Sequence, residues 1–141
     1  MITDPSTLAD IQAKWSAIRV LASKGMTGAQ LPSGSYIIFP QKDPRYFNLP
    51  LLLAYSALEQ VLEQLAYEGT VPAPSGRPTL HARLLAAQNS LSWTSFATID
   101  EGRQRRNELA HDAALLNEQE CLRFIGAIEI ELIAWRIVTK T

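Results

Sequence analysis

The sequence predicts an all-α fold, an up-and-down bundle of four or five helices around one core. Three observations carry this. Apolar residues recur at three- and four-residue steps along the longer segments. Prolines, glycines and side chains that cap helices stand where those segments should begin and end. No internal repeat, low-complexity tract or second domain interrupts the pattern, so residues 1–141 read as a single helical domain with one irregular segment at about 24–48.

Asp4 and Pro5 open the first helix. The carboxylate can cap it, and proline suits the first helical position because its missing N–H costs nothing there. Leu8, Ile11, Trp15 and Ile18 then share one face, with Asp10, Gln12, Lys14 and Arg19 elsewhere, and Gly25 and Gly28 end the run. Lys24 to Asn48 is broken by Gly28, Pro32, Gly34, Pro40 and Pro44, with Tyr36-Ile37-Ile38-Phe39 as a short extended stretch. A connection this long is expected to pack on something, either padding the bundle or gating a cleft.

Asn48 and Pro50 start the second helix, whose stripe is Leu51, Tyr55, Leu58, Leu62 and Leu65, and Gly69 stops it. Val71 to Pro78 is a loop by composition. Thr79 caps a shorter helix carrying Leu80, Leu84, Ala87 and Leu91. The stretch from Ser90 to Ser95 is ambiguous, and a further helix runs to about His111. Asn117 with Glu120 three residues later reads as a capping box for the last helix, which runs through Phe124, Ile128, Leu132, Trp135, Ile137 and Val138. Apolar residues cover most of its circumference, so it is either central in the bundle or half-buried in a dimer interface.

The bulk numbers limit the function classes. A chain of 141 residues can bury one sizeable core, and 47% hydrophobic against 19% charged residues argues against global disorder. No apolar run approaches the length of about 20 residues that a membrane span needs, and the N-terminus lacks the basic-then-apolar pattern of a secretory signal. The single cysteine, Cys121, makes a reducing, cytoplasmic setting the expectation. A formal charge of −1 leaves no broad basic surface, so any nucleic-acid contact must be local or shared between subunits.

One segment stands out chemically, Glu101-Gly102-Arg103-Gln104-Arg105-Arg106-Asn107-Glu108-Leu109-Ala110-His111. The apolar stripe of its helix is expected to run Phe96, Ile99, Arg103, Arg106 and Ala110, which puts two guanidinium groups where Leu or Ile is usual. A buried unpaired charge is costly, so these arginines require carboxylate partners, a wet cleft or an anionic ligand. Glu59 or Glu63 can supply such a partner across the bundle. Asn107 and His111, four apart, share a face with Arg106 at its edge, and the three together can hold a phosphate and move a proton. The plainer alternative is a solvated basic turn, with Glu101 and Glu108 as neighbours, that complements the negative helix end, and Gly102 can let the helix rotate.

Arg106-Asn107-Glu108-Leu109-Ala110-His111 resembles the Arg-x4-6-His signature of the HEPN superfamily. Its place, at the end of a late helix and just before a long final one, is similar too. Tyr55-Ser56-Ala57-Leu58-Glu59 resembles the family's early helix, and Leu80-His81-Ala82-Arg83-Leu84-Leu85 its short connecting helix. The resemblance covers roughly residues 48–138 and leaves the first forty-odd residues unaccounted for.

That resemblance implies a metal-independent endoribonuclease, a homodimer whose two motifs line one cleft, in a toxin–antitoxin, defence or stress system. His111 would be the general acid or base, Arg106 would steady the phosphoryl charge, Asn107 would orient the histidine or substrate, and Arg103 and Arg105 would bind RNA. An antitoxin or nucleotidyltransferase-like protein is the partner it implies besides RNA. Some toxin members carry a Tyr two residues after the His, which that partner modifies, and here the position is Ala113. Silencing at that residue is therefore not expected. The alternative within the same resemblance is a non-catalytic module that binds RNA, a nucleotide or a protein.

Elsewhere the chain is less informative. His81 lacks acid or Cys neighbours at ligand spacing, Cys121 lies on an apolar helix, and Trp15, Trp93 and Trp135 read as core. With no Gly-rich phosphate loop, nucleophile elbow or metal-ligand set in the sequence, neither metal nor cofactor is expected.

Overall fold

Among the described residues five α-helices form the bundle: α1 (Pro5–Ala22), α2 (Asn48–Tyr67), α3 (Leu80–Ala87), α4 (Phe96–Asp112) and α5 (Glu118–Ala134). The structure is a computed structural model that describes residues 1–23, 28–30, 32–38 and 43–140. Contacts between side chains fix the directions. Glu68, just past the end of α2, accepts from the N–H groups of Thr3 and Asp4 at the start of α1, while Gln60 meets both Asp10 and Lys14. α1 therefore runs antiparallel to α2. Glu131 reaches Thr94, Arg123 reaches Glu101 and Glu120 reaches Arg105, so α4 runs antiparallel to α5. Asn48 at the start of α2 binds Leu116 just before α5, which places these two starts at one end. The up-and-down bundle follows.

The starts of α1, α2, α3 and α5 are where the sequence puts them, and α4, for which it gave none, begins at Phe96 without a side-chain cap. Asp4 Oδ2 accepts from Thr7 N at 3.3 Å with Pro5 in the first turn, and Thr79 Oγ1 accepts from Ala82 N at 3.1 Å. The capping box closes in both directions: Asn117 Oδ1 accepts from Glu120 N at 2.8 Å and Glu120 Oε1 from Asn117 N at 3.4 Å. Asn48 behaves differently. A 3-10 turn, Pro44–Phe47, precedes α2 and is capped by Asp43, which frees the Asn48 side chain for tertiary work.

Three helix ends depart from expectation. α3 stops at Ala87, so Leu91 lies beyond it in the turn that follows, its N–H reaching back to Ala87 O at 3.2 Å. α1 stops at Ala22, short of Gly25, because Ser23 leaves the helical region and its N–H and hydroxyl both turn back to Val20 O. α5 stops at Ala134 rather than running through Val138. Arg136 takes a left-handed φ of 59°, and Ile137 N then reaches back to Leu132 O. The turn folds Ile137 and Val138 onto the core as an irregular tail instead of a further helical turn.

Within 24–48, β1 (Gly28–Gln30) and β2 (Tyr36–Ile38) pair antiparallel with Ala29 opposite Ile37, and Gly34 at φ 88° lies between them. The extended reading of Tyr36 to Ile38 holds. Whether these apolar side chains cover the bundle, or the segment gates a cleft, lies outside the described residues.

The core is one cluster. Leu51, Tyr55, Leu58, Leu62 and Leu65 of α2 meet Phe124, Ile128 and Leu132 of α5, and Ile11, Trp15 and Ile18 close over them from α1. All three tryptophans pack as core. Trp15 donates to Glu129, Trp135 to Ser92 O and Trp93 to Ala87 O, and Trp93 meets Trp135 edge-on at 4.7 Å between centroids. Among the described residues no helix is long and apolar enough to cross a membrane.

Candidate functional site at the end of helix α4

Helix α4 packs on the core through Ile99, Gly102 and Leu109. Arg106 falls between Gly102 and Leu109 on this face at helical spacing, whereas Ala110 is exposed and Arg103 lies to one side. The expected stripe of Phe96, Ile99, Arg103, Arg106 and Ala110 is therefore rotated. The reason is Gly102, which is buried and brings α4 down onto α2 and α5. A Cβ built there would lie 2.0 Å from Tyr55 Oη and 2.7 Å from Phe124 Cδ1. Only a residue without a Cβ lets the helix come this close. Tyr55 is buried and donates its hydroxyl proton to Ile99 O at 2.8 Å. Burial, then the Asp100 charge, push that hydroxyl well above its ordinary value, and the charges of Arg103 and Arg106 oppose the shift. The phenol stays neutral and keeps its proton for Ile99.

The arginines have separate fates. Arg103 Nε lies 2.8 Å from Asp100 Oδ1, with its side chain only 11% exposed. Arg105 Nη1 lies 2.6 Å from Glu120 Oε2 and its Nε 3.6 Å from Glu108. The Arg105 hydrogen bond, ahead of burial, which opposes it, holds the Glu120 carboxyl below the usual carboxylate range. The partners are thus acids of α4 and α5, and among the described residues neither Glu59 nor Glu63 pairs with this cluster. Arg105 and Arg103, expected as RNA contacts, spend much of their charge inside the fold.

Arg106 is the exception. Among the described residues it has no carboxylate within ion-pair distance, and its Nε is buried with no hydrogen-bond partner. Its Nη1 makes one long hydrogen bond, 3.4 Å, to Asn107 Oδ1. The structure thus brings Arg106 and Asn107 together. His111 stands exposed in the last turn, one turn beyond Asn107 on the same face. Arg106 and His111 do not meet, since side chains five apart leave a helix about 140° from each other. Immediately afterwards Ala113 takes a left-handed φ of 53°, its N–H reaching Leu109 O at 3.1 Å, and ends the helix.

Two buried polar residues escaped the sequence reading. Glu131 is fully buried. Its Oε1 accepts from Thr94 N at 2.7 Å and Ser95 N at 3.0 Å at the start of α4, and its Oε2 has no partner. The signal was there, because Glu131 continues the Phe124, Ile128 face of α5. Asn48 is 5% exposed and ties the α4–α5 loop to α2, donating to Leu116 O at 2.9 Å and accepting from Leu116 N at 3.0 Å.

The other candidates fall where the sequence put them. His81 is exposed on α3, and Cys121 is buried with its thiol pushed up to about 11 by burial. Among the described residues no cluster of His, Cys, Asp or Glu is placed to hold a metal ion. No protein-family model, curated protein or solved structure matches this chain.

Proposed function

We propose that this chain is a HEPN-like endoribonuclease that acts as a homodimer, with Arg106, Asn107 and His111 as its working residues. The observation that carries the reading is the state of Arg106. Its neighbours Arg103 and Arg105 are neutralised by carboxylates, yet Arg106 is left half-buried, unpaired and beside an amide. A cation kept in that condition is suited to an anionic ligand, and a planar guanidinium matches a phosphodiester.

In the proposed reaction His111 takes the proton from a ribose 2′-hydroxyl. The 2′-oxygen attacks the adjacent phosphorus, and the bond to the 5′-oxygen breaks as that oxygen gains a proton. The products are a 2′,3′-cyclic phosphate and a 5′-hydroxyl end. Arg106 stabilises the charge on the non-bridging oxygens, and Asn107 orients the guanidinium it touches. The roughly 140° between Arg106 and His111 on one helix favours a cleft in which the histidine of one copy faces the arginine of the other. Two copies in one groove would also concentrate the unpaired Arg106 charges locally, in a chain whose formal charge is −1.

A second reading, a non-catalytic HEPN-like module binding RNA, a nucleotide or a protein, is favoured by the same divergence of Arg106 from His111 and by the ion pairs of Arg103 and Arg105. A toxin–antitoxin, defence or stress setting belongs to the first reading. An antitoxin or nucleotidyltransferase-like partner would have to act elsewhere than at Ala113.

The test is cleavage of mixed RNA by purified protein in EDTA, beside His111→Ala and Arg106→Ala. Cutting by the wild type alone, giving cyclic phosphate ends, with both variants folded by circular dichroism, is the expected result. No cutting by any of the three moves the assignment to the binding module. A monomer by light scattering at micromolar concentration sinks the shared cleft.

A further inference from the structure

We infer that Tyr55 and Gly102 are positioning residues for Arg106, holding its stem against the core so that its head group stays unpaired and open to a phosphate. The inference rests on the reading of Arg106 as the anion-binding group of the site.

Side chains on an α-helix lean toward its N-terminus, so Arg106 lies back over the turn that contains Gly102, four residues earlier. That turn has no Cβ. The space where one would sit is bounded by Tyr55 Oη and by the Phe124 ring. Without a Cβ there α4 closes down onto Tyr55 and Phe124, and Arg106, four residues on along the same face, is carried in far enough for its Nε to be buried.

The phenol completes the arrangement by what it does not offer. Its single proton is committed to Ile99 O, and it carries no negative charge that would neutralise the guanidinium. The hydroxyl lies against the Gly102 turn, one helical turn before Arg106, and no hydrogen bond joins it to the guanidinium. A carboxylate in the same place would close the site as Asp100 and Glu120 close Arg103 and Arg105. The neutral ring instead supplies a firm, low-dielectric wall. Such a wall strengthens the attraction between the guanidinium and an incoming anion.

The readout is the Arg106 Nε–H resonance in nitrogen-15 spectra, followed for exchange with solvent and for its shift on titration with inorganic phosphate. In the wild type the buried Nε–H exchanges slowly and shifts with phosphate. In Tyr55→Phe, which removes one oxygen, exchange should rise about tenfold and phosphate binding weaken severalfold. Gly102→Ala should do the same more severely. An Ile11→Ala control, which perturbs the core where α1 meets α2, should lower global stability without moving the Arg106 signal. Unchanged Arg106 exchange and phosphate response in folded Tyr55→Phe would overturn the inference, as would a wild-type signal that ignores phosphate. RNA cleavage is scored separately, so an inactive protein whose Arg106 responds as expected refutes the ribonuclease and leaves the positioning pair standing.

Discussion

Replacing Asn48 by alanine tests whether one buried amide fastens the loop that follows the candidate site. Its side chain makes three hydrogen bonds: to Arg45 O at 3.0 Å, to Leu116 O at 2.9 Å, and from Leu116 N at 3.0 Å. Each contributes about 1 kcal/mol net, so their loss costs about 3 kcal/mol. Leu116 is itself buried, so its N–H and C=O are stranded away from water, and desolvation raises the total to about 3–5 kcal/mol. With a urea dependence of about 1.5 kcal/mol per molar, the unfolding midpoint should fall by about 2–3 M. Asn48→Asp is the sharper variant. It keeps the acceptor for Leu116 N but turns a carboxylate oxygen toward two carbonyls, so at neutral pH it should be at least as damaging as alanine. At acid pH, where the carboxyl regains a proton to donate, its deficit should shrink. Urea titrations followed by circular dichroism measure all of this. A midpoint for Asn48→Ala within 0.5 M of wild type, given a slope of about that size, would refute the reasoning, as would an aspartate variant more stable than the alanine one at pH 7.

Three further expectations follow from single residues. Ala113 holds a left-handed φ that glycine adopts freely, so Ala113→Gly should stabilise by about 1 kcal/mol and raise Tm by about 4 °C in a scanning calorimeter. Glu131→Gln keeps an oxygen for the N–H groups of Thr94 and Ser95 and should stay within about 1 kcal/mol of wild type, whereas Glu131→Ala strands both and should cost about 3 kcal/mol in urea unfolding. Glu120 is held below its ordinary range chiefly by Arg105, so its contribution is present above the unfolded carboxylate value of about 4.3 and is lost as pH falls below it. The Tm gap between wild type and Glu120→Gln should therefore close on acidification, and a gap that widens would contradict the ion pair.

The start signals of the helices were legible because they are local. Asp4 with Pro5, Thr79, and Asn117 with Glu120 each satisfy N–H groups within a few residues of themselves, so short windows of sequence contain the whole interaction. The all-α class was legible for a related reason, since the apolar periods of α2 and α5 are long enough to leave one regular solution. The Arg106-Asn107-His111 spacing could also be read directly. What those residues face could not.

That was decided by contacts between distant parts of the chain. The sequence allowed that Gly102 could let the helix rotate, but not against what: it is the place where α4 meets Tyr55 from forty-odd residues earlier, and Ala110 is left out of the core. Arg105 looked free to bind RNA until Glu120, fifteen residues on, was folded against it. Asn48 starts α2 as the sequence has it, and its side chain is also a staple to Leu116, sixty-eight residues away. The sequence by itself determined which segments are helical and where all but α4 begin, because those choices rest on hydrogen bonds and side-chain periods inside each segment; α4, which lacks a side-chain cap, gave no such signal. Only the tertiary structure decided which of three adjacent arginines keeps its charge unpaired. That depends on which acids the packing brings near, and helical periodicity carries no information about them.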